Sequence, residues 1–281
     1  MSDFLLQLEH ILSVVADGIW GYPLIILLFG THIFLTFRLK FIQRYIFKGI
    51  KLSFSRSQEG SGDISQFGAL TTALASTIGT GNIVGVATAI AMGGPGAVLW
   101  MWLTGVFGIA TKYAEAVLSI KYRVRTEDGT MAGGPMYVLE RGLNKKWLGV
   151  IFAALTALSA FGIGNMVQAN SISEMVRSTF NIENWITGIV ITILTAFVIL
   201  GGIRKIAHVC EMLVPFMAAF YMLGCIIILG ANISTLPDTI ALIFESAFSG
   251  HAAAAGFAGA AMKEALRFGI ARGLFSNESG L

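Results

Sequence analysis

The chain has 281 residues, of which 55% are hydrophobic and only 12% charged, whereas a water-soluble domain carries roughly a quarter charged residues. With a mean hydropathy of +0.75, its apolar residues gather in continuous runs of about 16 to 25, the length a helix needs to cross about 30 Å of hydrocarbon. Runs without alternation exclude a closed barrel, and the net charge of +3 needs no nucleic acid to explain it, because loop positions account for the basic residues.

In chain order, Phe4, Leu5, Leu8, Ile11, Leu12 and Val15 recur at helical spacing, with Asp3, Gln7, Glu9 and His10 between them. This predicts an amphipathic interfacial helix over 1–18. The start has no basic stretch ahead of an apolar run, so a cleavable signal peptide is not expected. An extra transmembrane helix follows over 19–37. Further spans fall near Phe67–Met92, Ala97–Ile120, Leu148–Ala169, Trp185–Leu200, Val209–Leu229 and Thr239–Phe257, the last continuing as a small-residue stretch to Phe275.

The loops orient these spans. Arg38, Lys40, Arg44, Lys48, Lys51 and Arg56 lie between the first and second. Lys121, Arg123, Arg125, Arg141, Lys145 and Lys146 follow the third, Arg204 and Lys205 the fifth, and Lys263, Arg267 and Arg272 the seventh. All fall on one side if the amino terminus is outside, leaving Arg177 on the other side and Lys112 within a span. Basic loops stay in the cytoplasm, so the expectation is a multi-pass inner-membrane protein with seven crossings and an external amino terminus. Trp20, Trp100, Trp102, Trp147 and Trp185 mostly lie near span ends, as interfacial anchors do. Cys210 and Cys225 share one apolar run and read as packing residues.

Two spans are unlike simple anchors. The second holds Gly68, Gly79, Gly81 and Gly85 with Thr71, Thr72, Ser76, Thr77, Thr80 and Asn82. The seventh region holds Gly250, Gly256 and Gly259 among alanines. Ser76-Thr77-Ile78-Gly79-Thr80-Gly81-Asn82 reads either as an interrupted helix or as a continuous helix with a small-residue packing face. If interrupted, its freed amides suit a carboxylate, and its carbonyls with Thr77 and Asn82 suit a hard cation. Asn165 and Gln168 read either as cavity-facing groups or as interhelical hydrogen bonders. Lys112 and Glu115, three apart, favour a structural ion pair, and Glu211 an interfacial partner for Arg204 and Lys205. His32 and His251 stand without metal-ligand company and read as packing or hydrogen-bonding residues. A dinucleotide loop at Gly79–Gly85 has the wrong spacing and no βαβ context. No catalytic constellation is present, so an enzyme is not expected.

Thr77-Ile78-Gly79-Thr80-Gly81-Asn82-Ile83-Val84-Gly85-Val86-Ala87, with Gly93-Gly94-Pro95-Gly96-Ala97 after it, resembles the alanine or glycine:cation symporter family. So do Gly129-Thr130-Met131-Ala132-Gly133-Gly134-Pro135-Met136-Tyr137 and the final Ala271-Arg272-Gly273-Leu274-Phe275-Ser276-Asn277-Glu278-Ser279-Gly280-Leu281, with Ser279 where the family pattern has alanine. The resemblance implies an all-α, leucine-transporter-type inverted-repeat fold, with a first five-helix repeat over 67–231 and the broken opening helix of a second over 238–281. It implies that Thr80, Gly81, Asn82, Gln168, Gly256, Phe257 and Gly259 contact an amino acid. Sodium would then lie near Ala75, Thr77, Ile78 and Asn82. Because the family's chains have about eleven helices, the resemblance also implies missing carboxy-terminal helices or a complementing chain. The expected activity is sodium-coupled uptake of alanine or glycine by alternating access, with sodium as coupling ion and no other cofactor. A channel and a non-transporting membrane subunit or regulator are the alternatives.

Overall fold

The computed structural model describes residues 2–19, 21–55, 62–248 and 262–278. Trp20, Arg56, Gly250, His251, Gly256, Phe257, Gly259 and Ser279 lie outside the described residues. Apart from loops, the described residues are helical but for one hairpin. In order it forms α1 (Ser2–Ile19), α2 (Tyr22–Arg38), a 3-10 turn (Ile42–Tyr45), α3 (Ile46–Ser53), α4 (Gln66–Thr77), α5 (Thr80–Gly93) and α6 (Ala97–Lys121). The antiparallel strands β1 (Val124–Arg125) and β2 (Met131–Ala132) pair Val124 with Ala132. There follow α7 (Pro135–Tyr137), a π turn (Val138–Gly142), α8 (Lys146–Phe161), a second π turn (Gly162–Met166) and α9 (Val167–Phe180). The described chain ends through α10 (Asn184–Ile199), α11 (Gly202–Ala231), α12 (Leu236–Phe248) and α13 (Met262–Asn277).

Local chemistry sets several of these ends. Pro23 sits in the first turn of α2, where its missing N–H costs nothing. Asn181 closes α9 in the left-handed conformation, with its N–H on Arg177 O. By length and apolar content, Gln66–Gly93 and Gly202–Ala231 suffice to cross a bilayer, and Pro23–Arg38 with Ile42–Ser53 form a third, broken candidate. Lys146–Phe161 and Asn184–Ile199 are shorter apolar helices. The apolar side chains face outward: Phe216 is 73% and Phe220 72% exposed on α11. Such a surface suits hydrocarbon or further protein around it rather than water.

The chain forms two compact units. The first comprises Met1–Arg44, Gly81–Tyr113 and Ile228–Leu281, the second Tyr45–Thr80 and Ala114–Ile227. In the first, Ile25 of α2 packs with Ile270 and Leu274 of α13, while Leu99 of α6 packs with Ile243 and Ala247 of α12. Gly269 and Gly273, four apart, let α13 approach α6. A Cβ on Gly269 would stand 2.5 Å from Ala97 O, and one on Gly273 would collide with Thr104 Oγ1. This is the close-approach spacing that helices use where hydrophobic force between them is absent.

The helices also place several residues that the sequence singles out, and His32 packs and hydrogen-bonds as expected. Trp100, read as an interfacial anchor, packs against both hydrophobic clusters, its ring 6.0 Å from that of Phe248. Lys112 donates to Glu278 O at 2.7 Å, placing a cation at the carboxy-terminal end of α13, where the helix dipole favours it. His32 is fully buried, and its Nδ1 lies 2.8 Å from Thr111 Oγ1. The helix of the fourth span runs on past Ala169, continuing through the π turn to Phe180. Arg204 and Lys205 stand in the first turn of α11 rather than in a loop.

Gly269→Val or Gly273→Leu should lower stability by roughly 1–3 kcal/mol through overpacking against α6. Thermal unfolding in detergent checks this, with Gly105→Ala, whose added Cβ would meet open space, as a control that melts near the parent.

Candidate substrate and ion site

The sequence around Gly79 disfavours continuous helix, and the helix stops there. Thr77 Oγ1 and Ser76 Oγ both bond back to Ala73 O, at 2.9 and 3.0 Å. Such bonds compete with the backbone ladder. Ile78 then leaves helical geometry at φ −80°, ψ 87°, although its N–H still reaches Leu74 O. Helix resumes at Thr80 as α5. At such ends the last carbonyls of α4, Ala75 among them, and the first amides of α5, Gly81 among them, have no partner inside their own helices. Of the two readings of this motif, the interrupted helix is the one observed.

Gly81 brings in residues that sequence reasoning did not assign to the site. A Cβ there would lie 3.5 Å from the Phe275 ring and 3.6 Å from Ser276 Cα, ordinary contact distances. The first turn of α5 therefore lies beside the end of α13, within the first unit. The only sequence signal was that Phe275 and Ser276 belong to the final family motif.

In the second unit, the π turn Gly162–Met166 is followed directly by Gln168 on α9. Single π turns inside α-helices recur at functional sites. Gln168 is half-buried, and its Oε1 is shielded without a hydrogen-bond partner. A buried carbonyl oxygen left in this state is costly, so it fits a position that accepts a proton-bearing group from a ligand. Asn165 is exposed. Ala75, Thr77, Ile78 and Thr80 belong to this same unit, and Gly81 and Asn82 to the first. Gly256, Phe257 and Gly259 lie outside the described residues.

The opposite end of α4 is fastened. Ser65 caps it, its Oγ accepting from Gly68 N at 2.9 Å and donating to Glu211 Oε1 at 2.8 Å. Gly68 permits this approach, since a Cβ there would stand 2.6 Å from the same Glu211 oxygen. The carboxylate thus lies at a helix amino terminus, where the dipole stabilises it. Glu211 was expected to pair with Arg204 and Lys205; its bond runs to Ser65, while Arg204 and His208 line the same cavity of about 650 Å³. Beside it Asp63 Oδ2 accepts from Met131 N at 2.9 Å, tying the hairpin to the approach to α4.

A helical membrane architecture with an interrupted span is what a secondary transporter presents. The chain belongs to the sodium:alanine symporter family, whose model matches residues 5–281. It is 52% identical to the sodium/alanine symporter AgcS of Methanococcus maripaludis over 96% of its own length and 60% of that protein's. It is 51% identical to an uncharacterized transporter of Haemophilus influenzae, over 98% and 61% of the two chains. To the probable sodium/glutamine symporter GlnT of Bacillus subtilis it is 38% identical, over 98% and 57%. The chain thus spans about three fifths of the length of the curated relatives it matches.

Ser65→Ala should cost about 1 kcal/mol through loss of the cap. Combined with Glu211→Ala in a double-mutant cycle read by thermal unfolding, it should reveal a coupling of about 0.5 kcal/mol or more. Strict additivity would remove the bond from the account of α4.

Proposed function

We propose that the protein carries a small neutral amino acid, alanine or glycine, into the cell together with sodium, by alternating access in a leucine-transporter-type fold. The observation that carries this reading is the interruption of the Gln66–Gly93 span at Ile78–Gly79. Irregular backbone at membrane depth is tolerated where it is buried in protein or lines a cavity, and transporters place their ligands at such breaks.

In this reading the carbonyls of Ala75 and Ile78, with Thr77 and Asn82, coordinate sodium. Thr80, Gly81 and Asn82 hold the substrate carboxylate at the amino terminus of α5. Gln168 Oε1 accepts from the substrate ammonium. Gly256, Phe257 and Gly259 complete the pocket. The first repeat runs over 67–231 and the second opens over 238–281, with the amino terminus outside the inner membrane. Family membership supports the ion and the substrate class, and the name of one relative, a probable sodium/glutamine symporter, sets glutamine beside alanine and glycine as a substrate to test.

The test is uptake of labelled alanine, glycine and glutamine into vesicles carrying the full-length protein. Uptake should require an inward sodium gradient, and alanine should tighten sodium binding by the factor by which sodium tightens alanine. Uptake that persists with sodium replaced by potassium and the proton gradient collapsed would refute the coupling. Gln168→Leu should raise the KM for alanine roughly 10- to 100-fold, the loss of one hydrogen bond to a charged group. An unchanged KM in a variant of normal stability removes Gln168 from the site. Gly81→Ala, whose methyl meets only ordinary contacts, should leave stability intact and weaken substrate affinity. A melting temperature that falls in step with affinity would instead make Gly81 a packing residue.

A further inference from the structure

The proposed transport cycle makes no use of α3 and the turn before it, yet this segment has an unusual composition. From Gly18 to Gln58 the sequence contains no Asp or Glu, while Arg38, Lys40, Arg44, Lys48, Lys51 and Arg56 all fall within it. Clusters of four to eight Lys and Arg beside a membrane span are the pattern that anionic lipid headgroups attract.

The structure gives this charge a form. α2 ends at Arg38, and Lys40 and Phe41 both take left-handed backbone, φ 54° and 58°, to turn the chain. The turn is held by Phe41 N on Thr36 O at 2.8 Å and by the Gln43 amide, which donates to Thr36 Oγ1 and Val106 O. It is a built feature of the end of the span. α3 follows at once and contains no buried residue. Ile46, Ile50 and Phe54 recur four apart with Phe47 beside them, while Lys48 and Lys51 recur three apart on another side of the helix and Arg44 lies in the 3-10 turn just before it. Phe47 is 82% exposed and Phe54 63%. An apolar face beside a basic one is the signature of a helix lying in the interface plane, with rings in the acyl boundary and cations at the headgroups. The far end is anchored in protein, with Phe67 N on Ser55 O at 3.1 Å and the Phe54 and Phe67 rings 6.1 Å apart.

We propose that α3, with the 3-10 turn that leads into it, is a docking surface for anionic phospholipid headgroups, bound by Lys48 and Lys51 of α3 and Arg44 of the turn and seated by Phe47 and Ile50. Charge complementarity selects this occupant. The exposed aromatic and aliphatic face excludes a soluble polyanion as the sole partner, because it would leave Phe47 in water. The inference rests on the chain's being a membrane protein and not on sodium coupling or substrate.

The experiment is native mass spectrometry of the full chain, purified in detergent and offered equal amounts of phosphatidylglycerol and phosphatidylcholine. The unaltered protein should retain the anionic lipid in roughly tenfold preference, a value that falls as salt is raised. Arg44→Gln/Lys48→Gln/Lys51→Gln should reduce the preference to within about twofold, while Arg44→Lys/Lys48→Arg/Lys51→Arg keeps it. Phe47→Ser should weaken retention of both lipids. A preference that survives the glutamine variant overturns the proposal, as does one that Lys145→Gln/Lys146→Gln removes equally. Should the glutamine variant fail to fold, a preference in the unaltered protein that ignores salt overturns it as well. Loss of self-association in Phe47→Ser with lipid retention unchanged would assign the face to a second copy and also overturn it.

Discussion

A backbone that crosses hydrocarbon must satisfy its own amides and carbonyls, and each one left open costs several kcal/mol. The residues around Ile78 break that rule locally. α4 stops at Thr77 and α5 starts at Thr80, between them a residue at ψ 87° that no continuous helix contains. Nothing in the flanking sequence forces a stop as a proline would. Serine and threonine hydroxyls bonded back to Ala73 O weaken the ladder from one side, and two glycines lower the helix's preference from the other. The interruption is therefore soft, set by several small terms rather than one large one. It persists only where what surrounds the open groups compensates them.

The compensation visible in the described residues lies at the other end of α4. There Ser65, Glu211 and the glycine that admits the carboxylate leave the first turn capped and electrostatically satisfied. Elsewhere the same economy recurs. Lys112 closes the end of α13, Asn181 closes α9, and Gly269 and Gly273 bring α13 close enough to α6 for dispersion to act. Charge, scarce in this composition, is spent at helix ends, and small residues at helix crossings.

The sequence was most legible where period and composition carry the signal. Apolar runs marked the helices Tyr22–Arg38, Ala97–Lys121, Asn184–Ile199 and Gly202–Ala231 to within a few residues, apart from the amino-terminal extension of the last. The glycine cluster marked the break to within two residues, since Gly and Thr oppose helix by local chemistry alone. Pairings were harder. Ser65 with Glu211 spans 146 positions and Lys112 with Glu278 spans 166, and neither leaves a local trace. The expected pairing of Glu211 with Arg204 followed helical proximity, whereas the observed bond to Ser65 follows where a helix end lies in space. The orphan oxygen of Gln168 was beyond reach for a related reason, because satisfaction is a property of surroundings and not of residue type. The π turn before it leaves no periodic signature in a run that is apolar on every side.

These facts bear on why an interrupted span suits coupled transport. The carbonyls that end α4 and the amides that start α5 have no partner inside their own helices, and they carry partial charges of opposite sign only a few residues apart. A cation and a carboxylate relieve opposite halves of one strained segment. In the proposed site, sodium recovers the cost of the carbonyls, and the amino acid recovers that of the amides. Once one ligand has ordered the break, the other meets groups already aligned, and the free energy gained in that second step is the coupling itself. A rigid, fully paired helix would offer neither ligand anything to satisfy. In the proposed cycle, the soft interruption, set between a fastened end and a glycine-bearing one, lets two weak ligands act as one.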